Sequence, residues 1–135
     1  MTKISVICGV VAMMIAPHVG AAKPPLRDVQ AIDDGLFAIG LADQIRKNCP
    51  VISARLLPAL GALQGLQTTA RDMGYTKAEI DAHVNSDVEK ARLRARGAQY
   101  MASKDLKTDQ AGFCTLGKEE IARNSTVGVL LRATN

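Results

Sequence analysis

The chain has 135 residues, which is enough for one small domain. It has no Trp and only two Phe and two Tyr, so a core must be built from Leu, Ile, Val, Met and Ala. Its formal net charge of +4 is only mildly basic, which excludes the strongly basic class of nucleic-acid-binding protein. We therefore expect no nucleic acid among its partners.

The first 22 residues have the three-part pattern of a cleavable secretory signal peptide. Lys3 gives a positive start, residues 4–15 are apolar and uncharged, and residues 19–22 are small enough for signal peptidase. The apolar segment is shorter than the roughly 20 residues that span a membrane as a helix. Cleavage after Ala22 predicts export, with residues 23–135 as a single helical domain in the periplasm of a Gram-negative bacterium. The alternative is an uncleaved anchor.

Two cysteines remain after cleavage, Cys49 and Cys114. An even number of cysteines in an exported chain favours disulfide formation, and two cysteines allow one pairing. Closing a loop of about 66 residues would stabilise the fold by roughly 4 kcal/mol in the chain-entropy model. The alternative is two separate buried thiols.

The first predicted helix follows Pro24 and Pro25, which fix the backbone and prevent an earlier start. Asp33 or Asp34 is the expected N-cap, because short acidic side chains accept hydrogen bonds from the free amides there. Apolar residues at helical spacing carry this helix to about Asn48.

The second predicted helix runs from Pro50 to Met73 and has the strongest amphipathic pattern of the chain. Pro58 lies inside it and is expected to kink it, because proline lacks the amide that would bond the carbonyl of Ala54. The residues of the predicted apolar stripe are Ile52, Leu56, Ala59, Leu60, Leu63, Leu66, Ala70 and Met73.

Gly74 is a suitable terminator for the second helix. Thr76 and Glu79 then form a capping box, which predicts a third helix over residues 77–103. Its inward face is rich in alanine and indicates close helix packing.

A fourth helix is predicted from a cap at Thr108 or Asp109 to about Arg123. The apolar residues 127–131 form either a helical turn or a covering strand. No strand-like alternation of useful length is present. The pattern therefore predicts an all-α fold, a small bundle of about four helices cross-linked by one disulfide.

The third helix carries four positive charges within seven residues: Lys90, Arg92, Arg94 and Arg96. They form a candidate interaction surface for an acidic protein or for anionic lipid head groups at a membrane surface. The alternative is an ordinary solvated helix face.

Glu120 is expected to be partly buried near Phe113, and a buried carboxylate needs a partner. Arg46 or Arg55 is the predicted partner in a structural ion pair. His83 is the only histidine left after processing, and it lies four residues before Asp87. Two ligands are too few for a zinc site, so we expect no metal and no cofactor.

Recognisable catalytic motifs are missing from the sequence: it has no Cys-x-x-Cys, no Gly-x-Ser-x-Gly and no phosphate-binding loop. We therefore expect a protein that is not an enzyme. The first hypothesis is an interaction module that docks on an unknown protein. The second is a small-molecule or lipid-binding bundle, in which the second helix lines an apolar pocket of several hundred Å³.

Several segments resemble a small exported family of alphaproteobacteria, domain of unknown function 5333. The most specific are residues 42–49 (ADQIRKNC) and 52–55 (ISAR), with residues 23–29 (KPPLRDV) before them. Residues 120–123 (EIAR) and the tail at residues 128–131 fit the same pattern. The resemblance assigns no activity and no catalytic residue. It implies an accessory role in the periplasm near respiratory complex I.

Overall fold

A computed structural model describes residues 22–134. The predicted signal peptide therefore lies outside the described residues, apart from Ala22. None of the helices in the described part is both long enough and apolar enough to cross a membrane. The elements are α1 (Gln30–Asn48), β1 (Ile52–Ala54), α2 (Leu56–Asp72), α3 (Lys77–Asn85), α4 (Asp87–Ala102), α5 (Gln110–Ala122) and β2 (Leu131–Ala133), with short 3₁₀ turns at Leu26–Asp28 and Gly128–Leu130.

The start of α1 differs from the prediction, whereas its end at Asn48 agrees with it. The helix begins at Gln30, directly after Val29, and Asp33 lies in its first turn. The preceding 3₁₀ turn leads straight into the helix and buries Leu26 together with Val29. Burial of these apolar side chains therefore sets the start, and Asp33 is left for other contacts.

The segment between α1 and α2 also differs from the prediction. A short strand, β1, occupies residues that we expected to be helical, and α2 begins only at Leu56. Pro58 is consequently the third residue of α2. The first amides of a helix have no acceptor within that helix, so a proline there removes no hydrogen bond. The predicted kink therefore has no cause.

The predicted third helix is in fact two helices, α3 and α4, separated at Ser86. The Ser86 hydroxyl accepts a hydrogen bond from the Glu89 amide at 3.3 Å and caps α4. Serine favours such caps because its side chain competes with the helical backbone. The capping box of Thr76 and Glu79 at the start of α3 is present as predicted, and Gly74 has the positive φ of a helix terminator.

The last helix and the tail complete the fold. Asp109 caps α5 by accepting from the Gly112 amide at 2.8 Å. The tail provides both predicted forms, a 3₁₀ turn and then β2, which pairs antiparallel with β1. The register places Ile52 opposite Ala133 and Ala54 opposite Leu131.

The disulfide between Cys49 and Cys114 is formed, with their Cα atoms 5.0 Å apart. It ties the end of α1 to α5 next to the main apolar core, in which Ile45 and Leu116 are fully buried. A smaller apolar cluster lies where α1, α2 and α3 meet the N-terminal segment, around Ile32, Ala70 and Ile80. The predicted mostly helical, disulfide-linked bundle is confirmed, with five helices and a two-stranded sheet in place of four helices alone.

Candidate functional site

The start of α2 exposes three leucines that lie outside both apolar clusters of residues 22–134. Leu56 is 72% exposed, Leu57 83% and Leu60 53%. Val129, whose carbonyl accepts from Arg55 next to Leu56, is also exposed. Single exposed apolar residues are ordinary, but a group of them at one end of a helix marks a candidate binding surface. We call these four residues the apolar patch.

The amphipathic pattern placed Leu56 and Leu60 in the buried stripe, and this part of the prediction was wrong. The inward face of α2 is formed by Ala59, Ala62, Leu66 and Ala70, which pack against the two apolar clusters. Small alanines let α2 approach α1 closely, and this turns the large leucines of the first turns toward solvent. Leu57 is not part of the predicted apolar stripe, and its position outside the stripe is the signal in the sequence that Leu57 is exposed.

A surface cleft of about 510 Å³ lies beside the apolar patch, between α1, β1 and the start of α2. All three residues of β1 contribute to its wall, together with two residues of α2. The remaining lining comes from α1 and the tail. The lining residues are Ile39, Ala42, Asp43, Arg46, Ile52, Ser53, Ala54, Leu56, Ala59 and Leu130.

Two arginines flank β1 without a carboxylate partner among residues 22–134. The Arg55 guanidinium donates to the carbonyl of Val129 at 3.1 Å. The Arg132 Nε donates to the hydroxyl of Ser53, also at 3.1 Å. Both contacts are to neutral oxygens, so the positive charge of both arginines remains available to a carboxylate from another molecule.

The predicted interaction surface on the third helix is divided in the structure. Arg92 pairs with Asp33 and, at 2.9 Å, with Glu89. Arg96 pairs with Asp33 at 2.9 Å and with Asp34 at 2.5 Å. These two arginines therefore join α4 to the N-terminal part of α1.

The other half of that surface, Lys90 and Arg94, faces a different opening. Both residues line a cleft of about 580 Å³ together with Lys47 of α1. Lys90 lies 4.0 Å from the exposed Asp87. The proposal of an interaction surface on α4 is accordingly confined to Lys90 and Arg94.

Glu89 is buried at the centre of the α1–α4 ion pairs and also contacts Arg27. Its burial would raise the pKa of the carboxyl. The hydrogen bond from Arg92 and the positive charges of Arg27 and Arg92 outweigh this and lower the pKa. The pKa of the Arg92 guanidinium is raised, chiefly by its hydrogen bond to Asp33. The cluster is charged at neutral pH and acts as a structural joint.

Glu120 is almost fully buried, with 1% of its surface exposed. It accepts hydrogen bonds from the Tyr100 hydroxyl at 2.7 Å and from Ser125, and it pairs with Arg123. Burial would raise its pKa, but the hydrogen bonds from Ser125 and Tyr100 and the charge of Arg123 lower it. Three donors satisfy this carboxylate, so its environment is that of a structural ion.

The predicted partners of Glu120 were wrong. Arg46 pairs instead with Asp43 at 2.5 Å, three residues earlier on α1, and Arg55 contacts Val129. Arg123 lies one helical turn from Glu120 and reaches it without crossing the core. The i,i+3 spacing of Glu120 and Arg123 is the signal in the sequence for this local ion pair.

His83 does not form a site with Asp87. The break at Ser86 separates the two residues onto different helices, and the Asp87 side chain is fully exposed. The His83 Nε2 is buried without a hydrogen-bond partner in the described part of the chain. Over residues 22–134, no cluster of three or more His, Cys, Asp or Glu could hold a metal ion.

Comparison with curated proteins and with solved structures gave no match. A comparison with protein-family models matched residues 24–132, which cover nearly all of the described chain, to one family. Its description is "Family of unknown function (DUF5333)". The match covers the apolar patch, both cysteines and the ion pairs of α4. The chain belongs to this family of unknown function.

Proposed function

We propose that this chain is a non-enzymatic interaction module, which binds a protein partner through the apolar patch and the cleft beside it. The observation that carries the proposal is the exposure of Leu56, Leu57 and Leu60 at the start of α2. A leucine side chain gains roughly 1.5–3 kcal/mol when it is fully buried. Three leucines at one helix end therefore provide the apolar centre that a protein interface needs.

The charges around the patch specify the partner further. Arg55 and Arg132 contact only neutral oxygens within the described chain. A partner that brings carboxylates to these arginines would form charge-assisted hydrogen bonds at the rim of the apolar contact. We propose a protein partner with an apolar contact surface bordered by acidic residues.

We propose that residues 1–22 are a cleavable signal peptide and that the remaining single domain acts in the periplasm. The pattern of the first 22 residues supports export. The Cys49–Cys114 disulfide also supports it, because disulfides persist in oxidising compartments. A role near respiratory complex I is supported by the family resemblance.

Affinity purification of two matched variants tests the proposal. Leu57 and Val88 are both the second residue of a helix, and they are 83% and 70% exposed. An aspartate is tolerated at this position because it faces the positive end of the helix dipole. Only the Leu57→Asp variant places a charge in the apolar patch.

The tagged wild type and both variants are expressed with the native leader and purified from periplasmic and membrane fractions. We expect one acidic-surfaced partner in stoichiometric amount with the wild type and with Val88→Asp. We expect Leu57→Asp to lose it. Equal recovery by all three proteins, or no stoichiometric partner at all, would contradict the proposal.

A second candidate function is the binding of a small apolar molecule or a lipid. A second cleft of about 400 Å³ lies between α1, α2 and the tail, and nearly all of its lining is apolar. Pro58, Ala62 and Leu66 of α2 take part in it. Native mass spectrometry of the protein from its own periplasm is expected to show a bound small molecule in this case, and a mass equal to that of the bare chain would exclude it.

A further inference from the structure

The pairing of β1 and β2 leaves one edge of β1 open. Two backbone hydrogen bonds frame the strand pair: the Arg55 amide donates to Leu130 at 2.8 Å, and the Thr134 amide donates to Val51 at 2.9 Å. In an antiparallel pair, residues that exchange hydrogen bonds alternate with residues that turn their backbone groups away. Because Val51 and Arg55 are bonded to the residues on either side of β2, they determine on which side of β1 the amide and carbonyl groups of each residue lie.

Ser53 lies two residues from each of these bonded positions and therefore bonds to β2. Ile52 and Ala54 turn their amide and carbonyl groups to the opposite side. The Ile52 amide is used within the turn, where it donates to Cys49 at 3.2 Å. The Ile52 carbonyl and both backbone groups of Ala54 have no partner among the hydrogen bonds of residues 22–134.

The carbonyl of Ala54 lies outside α2, in which the first accepting carbonyl is that of Arg55, 3.0 Å from the Ala59 amide. Pro58 has no amide hydrogen and therefore offers no competing donor to Ala54.

The two faces of β1 have different chemistry. The Ile52 side chain is buried, and a Cβ added at Gly117 of α5 would meet its Cδ1 atom at 2.4 Å. Ser53 and Arg55 alternate with it and lie on the outer face, where Arg132 is paired with Ser53. A strand placed beside β1 would hence meet apolar surface on its inner face and positive charge on its outer face.

We propose that the partner binds by adding a strand to the open edge of β1. The occupant is an extended segment in which apolar residues alternate with acidic ones, so that its apolar side chains enter the cleft and its carboxylates meet Arg55 and Arg132. This mode of binding rests on the proposed interaction function and specifies how that function is carried out. Main-chain hydrogen bonds then supply affinity, and the alternating side chains supply specificity.

The charges disfavour a second copy of this chain as the occupant. A symmetric pairing of two β1 edges would bring the same outer-face arginines of both copies together. Like charges on neighbouring strands destabilise the pairing. An acidic segment removes this repulsion and gives Arg55 and Arg132 the partner that they lack within residues 22–134.

The first experiment measures amide exchange at two matched positions of the whole mature protein. The backbone amides of Ala54 and Ala133 both point away from the neighbouring strand, and they lie on opposite edges of the sheet. The probe is a blocked eight-residue peptide of alternating valine and glutamate. At saturation we expect the exchange of the Ala54 amide to slow by about tenfold or more, with the Ala133 amide unchanged.

The second experiment compares peptides by calorimetry. Alternate amides of the bound peptide would face β1. N-methylation of these amides is expected to weaken binding by about tenfold or more, because it removes their hydrogen bonds to the strand. Replacing glutamate by lysine is expected to weaken it similarly. A peptide that binds equally well with N-methylated amides would overturn strand addition, while the apolar patch would still be a docking surface.

Two protein variants complete the test. Ala54→Pro removes the donor on the open edge, and Ala133→Pro removes its counterpart on the other edge; proline is tolerated at edges where the amide faces outward. We expect only Ala54→Pro to lose peptide affinity. If this variant does not fold, the N-methylated peptides still decide the outcome with the wild type.

Two results would reject the proposed occupant. A wild-type dimer in analytical ultracentrifugation that Ala54→Pro abolishes would assign the edge to a second copy. Absence of any binding by the alternating peptide would also overturn strand addition. Neither result depends on the Leu57→Asp purification, which tests the interaction function separately.

Discussion

Two arginine-bearing regions of the molecule differ in what their charges contact. On α4, Arg92 and Arg96 are held by carboxylates of α1 and by Glu89. Beside β1, Arg55 and Arg132 contact only a carbonyl and a hydroxyl. The arginines that are most closely spaced in the sequence are therefore the ones that have carboxylate partners in the fold. Charge density along a chain does not identify a free surface, because the partners arrive from distant segments.

Of the changes that test the difference between these two regions, Glu89→Gln is expected to have the largest effect on the free energy of unfolding. Glu89 is buried and pairs with Arg27 and Arg92, so its neutralisation removes the carboxylate that Arg27 pairs with and leaves Arg92 with Asp33 alone. We expect the free energy of unfolding to fall by about 2 kcal/mol. Urea denaturation at pH 7 measures it.

The matched control is Glu119→Gln, because Glu119 is exposed and pairs only with Lys104 at 3.2 Å. Its free energy of unfolding should change by less than about 0.5 kcal/mol. Equal losses for the two variants would show that the α4 ion pairs are no stronger than surface pairs.

A smaller effect is expected from pH. The pKa of Glu89 lies below its usual value of 4.5, so the stability it contributes is fully present above that pH. This contribution is lost as the pH falls through the lower pKa of the folded state. Urea denaturation from pH 7 to pH 3 should show a steeper acidic loss for the wild type than for Glu89→Gln, and parallel curves would contradict the assignment.

The smallest effect on stability is expected beside β1. A double variant, Arg55→Gln with Arg132→Gln, removes two charges that have no carboxylate partner within residues 22–134. Its free energy of unfolding should stay within about 0.5 kcal/mol of the wild type. Recovery of the partner in affinity purification should nevertheless fall. Arg71→Gln, at the exposed far end of α2, is the control and should leave both measurements unchanged.

The parts of the fold that could be predicted depend on neighbouring residues. Thr76 with Glu79, Asp109 and Gly74 mark helix ends through contacts of a few residues, and each of these ends is confirmed. The disulfide between Cys49 and Cys114 was predictable because only one pairing was possible. Such signals need no knowledge of tertiary structure.

The parts that could not be predicted depend on distant residues. Ser53 pairs with Arg132, so β1 becomes a strand only when the tail arrives from the far end of the chain. That pairing delays α2 to Leu56 and places Pro58 where it causes no kink. Exposure of the leucines follows from the close approach of α2 to α1, which the spacing of apolar residues alone does not show.

The disulfide has a further consequence for the covalent integrity of the chain. α2, α3 and α4 all lie between Cys49 and Cys114. A protease that cuts within this loop, for example at the break around Ser86, leaves both fragments joined as one molecule. The fragments then meet at the effective concentration of an intramolecular pair and reassociate without a search through solution. Separation of the two fragments would require reduction of the disulfide as a second event.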